Sequence, residues 1–106
     1  MTFNLKKNDT EPTIQAMLMT DDGSPVDLSV ASVRFHMRNS SGTVVIDEPA
    51  TIINGSAGIV QYDWTATETE TSGLFEAEFE VTYSSGGIET FPNVGYEEIV
   101  ITDDIA

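Results

Sequence analysis

One stretch decides the fold of this chain: Phe75-Glu76-Ala77-Glu78-Phe79-Glu80-Val81-Thr82-Tyr83. Apolar and polar residues alternate at every step of it. In an extended strand successive side chains point to opposite faces, so one face here is apolar and the other carries three glutamates. The stretch therefore predicts a half-buried β-strand at the centre of the domain.

The same period of two recurs outward from this stretch. Ser32 to Arg38 places Val33, Phe35 and Met37 on one face, and no stretch of ten residues shows the 3.6-residue period of an amphipathic helix. Further strands are predicted near Leu5 and over 13–19, 43–47, 50–53, 59–64, 88–91 and 97–102. We therefore predict an all-β fold, an immunoglobulin-like antiparallel β-sandwich of seven to nine short strands.

Turn residues separate these strands. Gly23 lies in Asp21–Pro25, Asn39–Gly42 and Ser84–Gly87 have hairpin composition, and Asn54-Gly55 predicts a two-residue turn. The polar residues 65–72 predict a loop that crosses from one sheet to the other.

Length and charge bound the function. With 106 residues the chain forms one domain, residues 1–106. Four Lys and Arg against eighteen Asp and Glu give 4 − 18 = −14, which excludes nucleic acid as a partner. No targeting sequence and no apolar run of about 18 residues is visible, so we expect a soluble chain with no membrane partner.

No residue pattern predicts catalysis, a cofactor or a metal. The one histidine, His36, lies between Arg34 and Arg38, which is a poor setting for a general base, and cysteine is absent. The pairs Asp21-Asp22 and Asp103-Asp104 match no calcium loop. We therefore expect a protein that is not an enzyme, with no catalytic, cofactor-binding or metal-binding residues.

Two rows of charge have matching spacing: Arg34, His36 and Arg38 on one predicted strand, and the three glutamates of the 75–83 strand on another. If the strands are neighbours, cross-strand pairs fix their register. Otherwise the rows are separate solvated faces, or the glutamates receive a basic partner protein.

The excess of acid also predicts salt dependence. Self-repulsion from a charge of −14 weakens a small fold in dilute buffer and is screened near molar salt. Two lysines and thirteen threonines add to a composition similar to that of proteins from salt-loving microbes.

Six segments follow one another in a characteristic order: Phe3-x-Leu5-Lys6-Lys7-x-Asp9-Thr10-x-Pro12, Asp22-Gly23-x-Pro25-Val26-Asp27-Leu28, Ala31-Ser32-Val33-Arg34-Phe35-x-Met37-Arg38, Gly58-x-Val60-x-Tyr62-x-Trp64, Gly73-x-Phe75-x-Ala77-Glu78-Phe79 and Thr90-Phe91-Pro92. In this order they resemble one family, the N-terminal domain of phage baseplate upper proteins. The resemblance implies an immunoglobulin-like module at the tail tip or baseplate of a tailed virus. In that family the domain commonly heads a longer protein, whereas this chain stops after it, which makes a stand-alone adaptor equally credible.

The resulting prediction is a non-enzymatic virion structural protein, an adaptor or assembly module assembled in the host cytoplasm. Its partners are other virion proteins and further copies of itself. The alternatives are a capsid-surface decoration or turret subunit, and a receptor- or carbohydrate-binding module. The candidate protein interface consists of the residues expected to be exposed and apolar: Met17, Met19, Phe91, Val94 and Tyr96. Replacing Phe91 and Tyr96 with serine is expected to prevent assembly and preserve the fold.

Overall fold

The computed structural model describes residues 2–105, which form nine β-strands and no helix. The strands are β1 (Thr2–Lys6), β2 (Ile14–Met17), β3 (Ser32–Asn39), β4 (Val44–Pro49), β5 (Thr51–Asn54), β6 (Ile59–Tyr62), β7 (Gly73–Thr82), β8 (Ile88–Phe91) and β9 (Glu97–Thr102).

The strands form two sheets. The larger has the order β1-β9-β7-β3-β4, with β8 paired to β7, and the smaller has the order β2-β6-β5. The apolar faces of both sheets enclose one hydrophobic core. The all-β prediction and the nine-strand sandwich are confirmed.

Strand β7 lies at the centre of the larger sheet, as its alternation predicts. Phe75, Ala77, Phe79 and Val81 are all buried, and the glutamates between them face outward. One edge of β7 pairs with β3 along the whole of β3, from Ser32 opposite Thr82 to Asn39 opposite Phe75. The segment with the most regular alternation in the sequence is therefore the central strand of the larger sheet.

Four aromatic side chains fill the middle of the core. Phe35 stacks on Tyr62, with ring centroids 4.5 Å apart, and contacts Trp64 edge-on at 5.5 Å and Phe79 at 5.1 Å. The Trp64 indole donates to the Pro12 carbonyl at 3.1 Å. These rings join strands of both sheets, so the two layers are held by the same cluster.

One strand pair departs from the antiparallel prediction. β1 pairs with β9 in parallel, from Thr2 opposite Glu98 to Lys6 opposite Thr102. In the immunoglobulin arrangement the first strand instead lies in the same sheet as the second strand. Because β1 lies in the larger sheet here, β2 is left as an edge strand of the smaller sheet within residues 2–105.

Strands β8 and β9 follow one another along the same edge of β7. β8 pairs with Phe79 to Thr82, and β9 pairs with Gly73 to Ala77. The residues between the two strands, 92–96, leave the sheet as a bend. The bend lies beside β2 and contributes to the site described below.

The polar residues 65–72 do cross from the smaller sheet to the larger one, as predicted. The Thr69 hydroxyl is buried and donates to the Asp9 carbonyl at 2.9 Å, and the Asn8 amide donates to the Thr69 carbonyl at 3.0 Å. The low-complexity segment is therefore anchored to the chain between β1 and β2.

The turn at Asn54-Gly55 is longer than its dipeptide predicts. Residues 55–58 form it, the Asn54 side-chain oxygen accepts from the Ala57 amide at 3.2 Å, and Gly58 has a φ of 69°. A Cβ on Gly58 would lie 2.6 Å from the Leu18 carbonyl oxygen. The close approach of Leu18, which follows β2, leaves no room for a side chain at position 58.

Candidate protein interface

The charged rows of β3 and β7 are neighbours, which confirms the cross-strand interpretation. Arg34 lies opposite Glu80, His36 opposite Glu78 and Arg38 opposite Glu76. His36 Nδ1 lies 3.0 Å from Glu78 Oε2, and Arg38 Nε donates to Glu76 Oε1 at 2.8 Å. We call these six residues, together with Asp47 of β4, the charged ladder.

Arg34 forms its ion pair with β4, not with Glu80. Its Nε donates to Asp47 Oδ1 at 2.9 Å and its Nη2 to the Asp47 carbonyl at 2.7 Å. The hydrogen bond from Arg34 is the main cause that holds the pKa of Asp47 below its usual range. His36 Nε2 also lies 3.3 Å from Asp47 Oδ1, so the imidazole joins two carboxylates.

Tyr96 covers one end of the ladder. The Arg38 guanidinium carbon lies 4.5 Å from the centre of the Tyr96 ring, within the range of a cation–π contact. The hydrogen bond with Glu76 is the main cause that raises the pKa of Arg38. Glu76 and Glu78 of the glutamate row are thus already paired within the chain, which leaves these two carboxylates little capacity for a basic partner.

A second feature lies where the edge of β2 faces the bend between β8 and β9. An open groove of about 240 Å³ runs between them. We call it the edge groove; its lining residues are Ala16, Met17, Leu18, Met19, Phe79, Phe91, Pro92, Asn93 and Glu97. Phe79 belongs to the core, so the groove reaches between the two sheets.

The five predicted interface residues do not form one surface. Met17 and Met19 are 52% and 48% exposed and line the edge groove. Val94, 91% exposed, lies at the tip of the bend, and Tyr96, 46% exposed, lies against the ladder. The structure thus brings only part of the predicted set together.

The exposure predicted for Phe91 is wrong. Its side chain is only 5% exposed and packs in the core at the end of β8, where the groove reaches its ring. Phe91 pairs opposite Phe79, and β8 places alternate side chains inward. The strand predicted over 88–91 does include Phe91, but the sequence pattern did not indicate which face of that strand lies on the core.

An acidic hollow adjoins the groove at Asn93. It is lined by Thr20, Asp21, Asp22, Glu89 and Asn93. The hydrogen bond from the Thr20 hydroxyl is the main cause that lowers the pKa of Asp22. Glu89 accepts from the Tyr83 hydroxyl at 2.7 Å, and burial, followed by this bond, raises the pKa of Tyr83 to about 12.

Asp21, Asp22 and Glu89 line the acidic hollow and Glu97 lines the groove, and we call these four residues the acidic rim. No ion pair within residues 2–105 involves any of them. The rim was missed in the sequence because its members come from separate segments. One feature of the sequence could have indicated unpaired carboxylates: there is no Lys or Arg between Arg38 and residue 106.

The aspartate pairs considered for calcium lie apart. Asp103 and Asp104 line a hollow with Lys7 and Asn8, whereas Asp21 and Asp22 line the acidic hollow. Within residues 2–105 no three His, Cys, Asp or Glu side chains are grouped in a way that could hold a metal ion. That part of the chain also has no helix able to span a bilayer.

The profile of the BppU (baseplate upper protein) N-terminal domain matches residues 2–96. The chain belongs to this family. The charged ladder and the acidic hollow lie within the matched range, and so does the edge groove apart from Glu97.

One of the solved structures with this fold is a domain of a phage protein. The "N-terminal domain of phage TP901-1 ORF48" superposes with a TM-score of 0.64 at 12% identity, covering 96% of this chain and 85% of that one. CopC from Methylosinus trichosporium OB3b gives 0.59 at 15% identity, covering 99% and 87%. At these identities the likeness shows the fold alone. No curated protein sequence matches.

A BppU N-terminal domain is a structural domain of the phage tail and baseplate. The chain is therefore a virion component that contacts other virion proteins.

Proposed function

We propose that this BppU N-terminal domain is a non-enzymatic adaptor of the tail tip or baseplate, which joins other virion proteins through the edge groove. The observation that carries the proposal is the family match over residues 2–96. The groove adds a place for the joint, because it exposes Met17 and Met19 beside core aromatic residues.

Residues 2–105 offer no comparable platform for sugar. Tyr62 and Trp64, which share the core with Phe35, are buried, and their polar atoms bond to Glu68 and Pro12. Carbohydrate sites usually need exposed aromatic faces beside polar groups. Tyr96 is exposed but is stacked on Arg38. These contacts favour an assembly role over receptor or carbohydrate binding.

We further propose that several copies surround the tail axis and are held there by the proteins they bind. A charge of −14 opposes direct association of isolated copies. The purified domain is then a monomer, and the symmetry is imposed during assembly in the host cytoplasm.

Cryo-electron microscopy of intact particles tests the location. We expect density for this fold at the baseplate or tail tip, in copies related by the tail symmetry. As a control, particles that lack the chain are expected to lose that density and retain the capsid surface. Density on the capsid would instead support the decoration or turret alternative and contradict the adaptor proposal.

A further inference from the structure

The edges of the two sheets are protected unequally. Unpaired strand edges invite pairing by other chains, and proteins protect them with charge, proline or irregular register. β1 ends in Lys6, β4 carries Asp47-Glu48-Pro49, and β8 carries Glu89. The register of β5 on β6 shifts between Ile52 and Asn54.

Strand β2 has none of these protections. Its residues, Ile14-Gln15-Ala16-Met17, are uncharged and contain no proline, and its register on β6 is regular. Its outer edge faces the edge groove. Among the five edge strands in residues 2–105, β2 is therefore the one best suited to accept another strand.

Its main-chain groups point into that space. The Leu18 amide donates to the Gly58 carbonyl at 2.8 Å, so the main-chain groups of Leu18 point to the side of β2 on which β6 lies. By alternation, the main-chain groups of Ala16 and Ile14 point to that side too. The Thr20 amide donates to Ser24 at 2.8 Å on the same side. The amide and carbonyl groups of Gln15 and Met17 consequently point outward.

The opposite wall of the groove suits the side chains of such a strand. The buried rings of Phe91 and Phe79 line the groove from the core side, and Pro92 and Asn93 lie beside them. A strand paired with β2 directs alternate side chains toward this surface. Apolar residues at every second position would continue the core at this edge of the sandwich.

Charge limits the occupant further. The acidic rim lies beyond Met19 and along β9, and it has no ion pair within residues 2–105. A second copy would bring another charge of −14 to this rim, which disfavours pairing between copies. A segment with Lys or Arg beside Asp21 and Glu97 has the complementary charge.

We infer that the edge groove binds an extended basic segment of another virion protein, which pairs with β2 as an added strand of the smaller sheet. The inference rests on the proposed function for the source of the segment. Main-chain hydrogen bonds to Gln15 and Met17 supply binding, and apolar side chains over Phe91, together with cations at the rim, supply selectivity.

A proline substitution tests the main-chain pairing. Met17→Pro removes an amide that points away from β6, whereas Met17→Thr keeps the amide and removes the same apolar side chain. We expect incorporation of Met17→Pro into particles to fall about tenfold, and that of Met17→Thr to fall about threefold or less. Equal incorporation of the two variants would contradict strand pairing.

Photo-cross-linking identifies the occupant and does not depend on whether the proline variant folds. Met19 is replaced by benzoylphenylalanine in assembling particles, with Ile53 on the β5 edge as the matched control. We expect Met19 to cross-link to a segment of another virion protein that alternates apolar residues and carries Lys or Arg. A cross-link to a second copy, to an acidic segment, or none at all overturns the inference.

Charge reversal tests the rim. Asp21→Lys and Glu97→Lys are expected to reduce the Met19 cross-link severalfold, while Asp104→Lys, the same change of charge outside the rim, leaves it unchanged. An equal effect of all three would mean that total charge, not the rim, selects the partner.

These outcomes separate the inference from the proposed function. Particle density at the baseplate with β2 exposed to solvent would leave the adaptor proposal standing and overturn strand addition. Density on the capsid with an added strand beside β2 would do the reverse.

Discussion

The charged ladder and the edge groove differ in how many of their charged and main-chain groups are already paired within the chain. On the ladder, Arg34, His36 and Arg38 each meet a carboxylate within 3.0 Å. At the groove, within residues 2–105, the outer edge of β2 has no paired strand, Met17 and Met19 are exposed, and the acidic rim forms no ion pair. A surface that has already paired its groups gains little from a partner, so the unpaired region is the better candidate for binding.

The largest effect is expected where β2 is held to the adjacent turn. Gly58→Ala forces a left-handed φ on alanine and places its Cβ 2.6 Å from the Leu18 carbonyl oxygen, so β2 must shift. We expect the free energy of unfolding to fall by about 3 kcal/mol or more. Urea unfolding measures it.

Gly42→Ala is the matched control, because Gly42 also has a positive φ and no atom lies within 4 Å of a Cβ there. We expect a loss of about 1 kcal/mol. A loss as large as that of Gly58→Ala would show that backbone strain alone explains both.

The next effect separates the wall of the groove from the ladder. Phe91→Ser removes a buried ring and buries a hydroxyl, and we expect a loss of about 3 kcal/mol. Tyr96→Ser removes a half-exposed ring and is expected to cost less than about 1 kcal/mol. Thermal and urea unfolding of both variants measure the difference.

From the sequence, the replacement of Phe91 and Tyr96 with serine was expected to prevent assembly and preserve the fold. The burial of Phe91 changes that expectation, since only Tyr96→Ser now tests a surface contact. If Phe91→Ser is as stable as the native chain, the groove wall is not part of the core.

Salt is expected to act on the unpaired carboxylates more than on the paired ones. With a net charge of −14, the melting temperature is expected to rise by about 4–8 °C from roughly 20 mM to roughly 2 M salt, which corresponds to about 1 kcal/mol. Circular dichroism measures it. An equal melting temperature in both would contradict adaptation to salt.

Neutral variants sharpen this test at low salt. Replacing Asp21 with Asn and Glu97 with Gln reduces self-repulsion and is expected to raise the melting temperature. Replacing Glu76 and Glu78 with Gln breaks pairs with Arg38 and His36 and is expected to lower it. If both double variants changed the melting temperature in the same direction, the two regions would not differ in this respect.

The smallest effect concerns acid. The lowered pKa of Asp47 means that its contribution to stability is present above its unfolded pKa, near 3.8, and is lost as the pH falls through the folded value. The stability difference between the native chain and Asp47→Asn is therefore expected at pH 7 and to shrink below about pH 4. Urea unfolding across this range measures it.

Asp21→Asn removes the same charge outside any ion pair of residues 2–105 and controls for net charge. A difference between the native chain and Asp47→Asn that is unchanged at pH 3 would contradict a role for the ionised Asp47.

Alternation within single strands was enough to predict most of the fold. The alternate apolar residues from Phe75 to Val81 and from Val33 to Met37 are buried, as the period of two predicts. A strand with one apolar face can pack on a core in only one orientation. The matched charge spacing offered the pairing of β3 with β7 as one of three interpretations, and the structure has that one.

The site was less accessible from the sequence. Met17 and Met19 were predicted as outward-facing residues, but the position of Pro92 and Asn93 beside them depends on β8 and β9 sharing one edge of β7. The parallel pairing of β1 with β9, which leaves β2 at an edge, is likewise a long-range choice. Local patterns do not encode such choices, since they depend on contacts between distant segments.

The division of one sheet edge between β8 and β9 has a consequence for variation among related chains. The registers of β8 and β9 on β7 are fixed separately, at Phe79 to Thr82 and at Gly73 to Ala77. Extra residues inserted at Val94 and Gly95 would therefore lengthen an exposed finger without shifting either register. Such a finger could acquire new specificity through insertions while the sandwich that carries it stays the same.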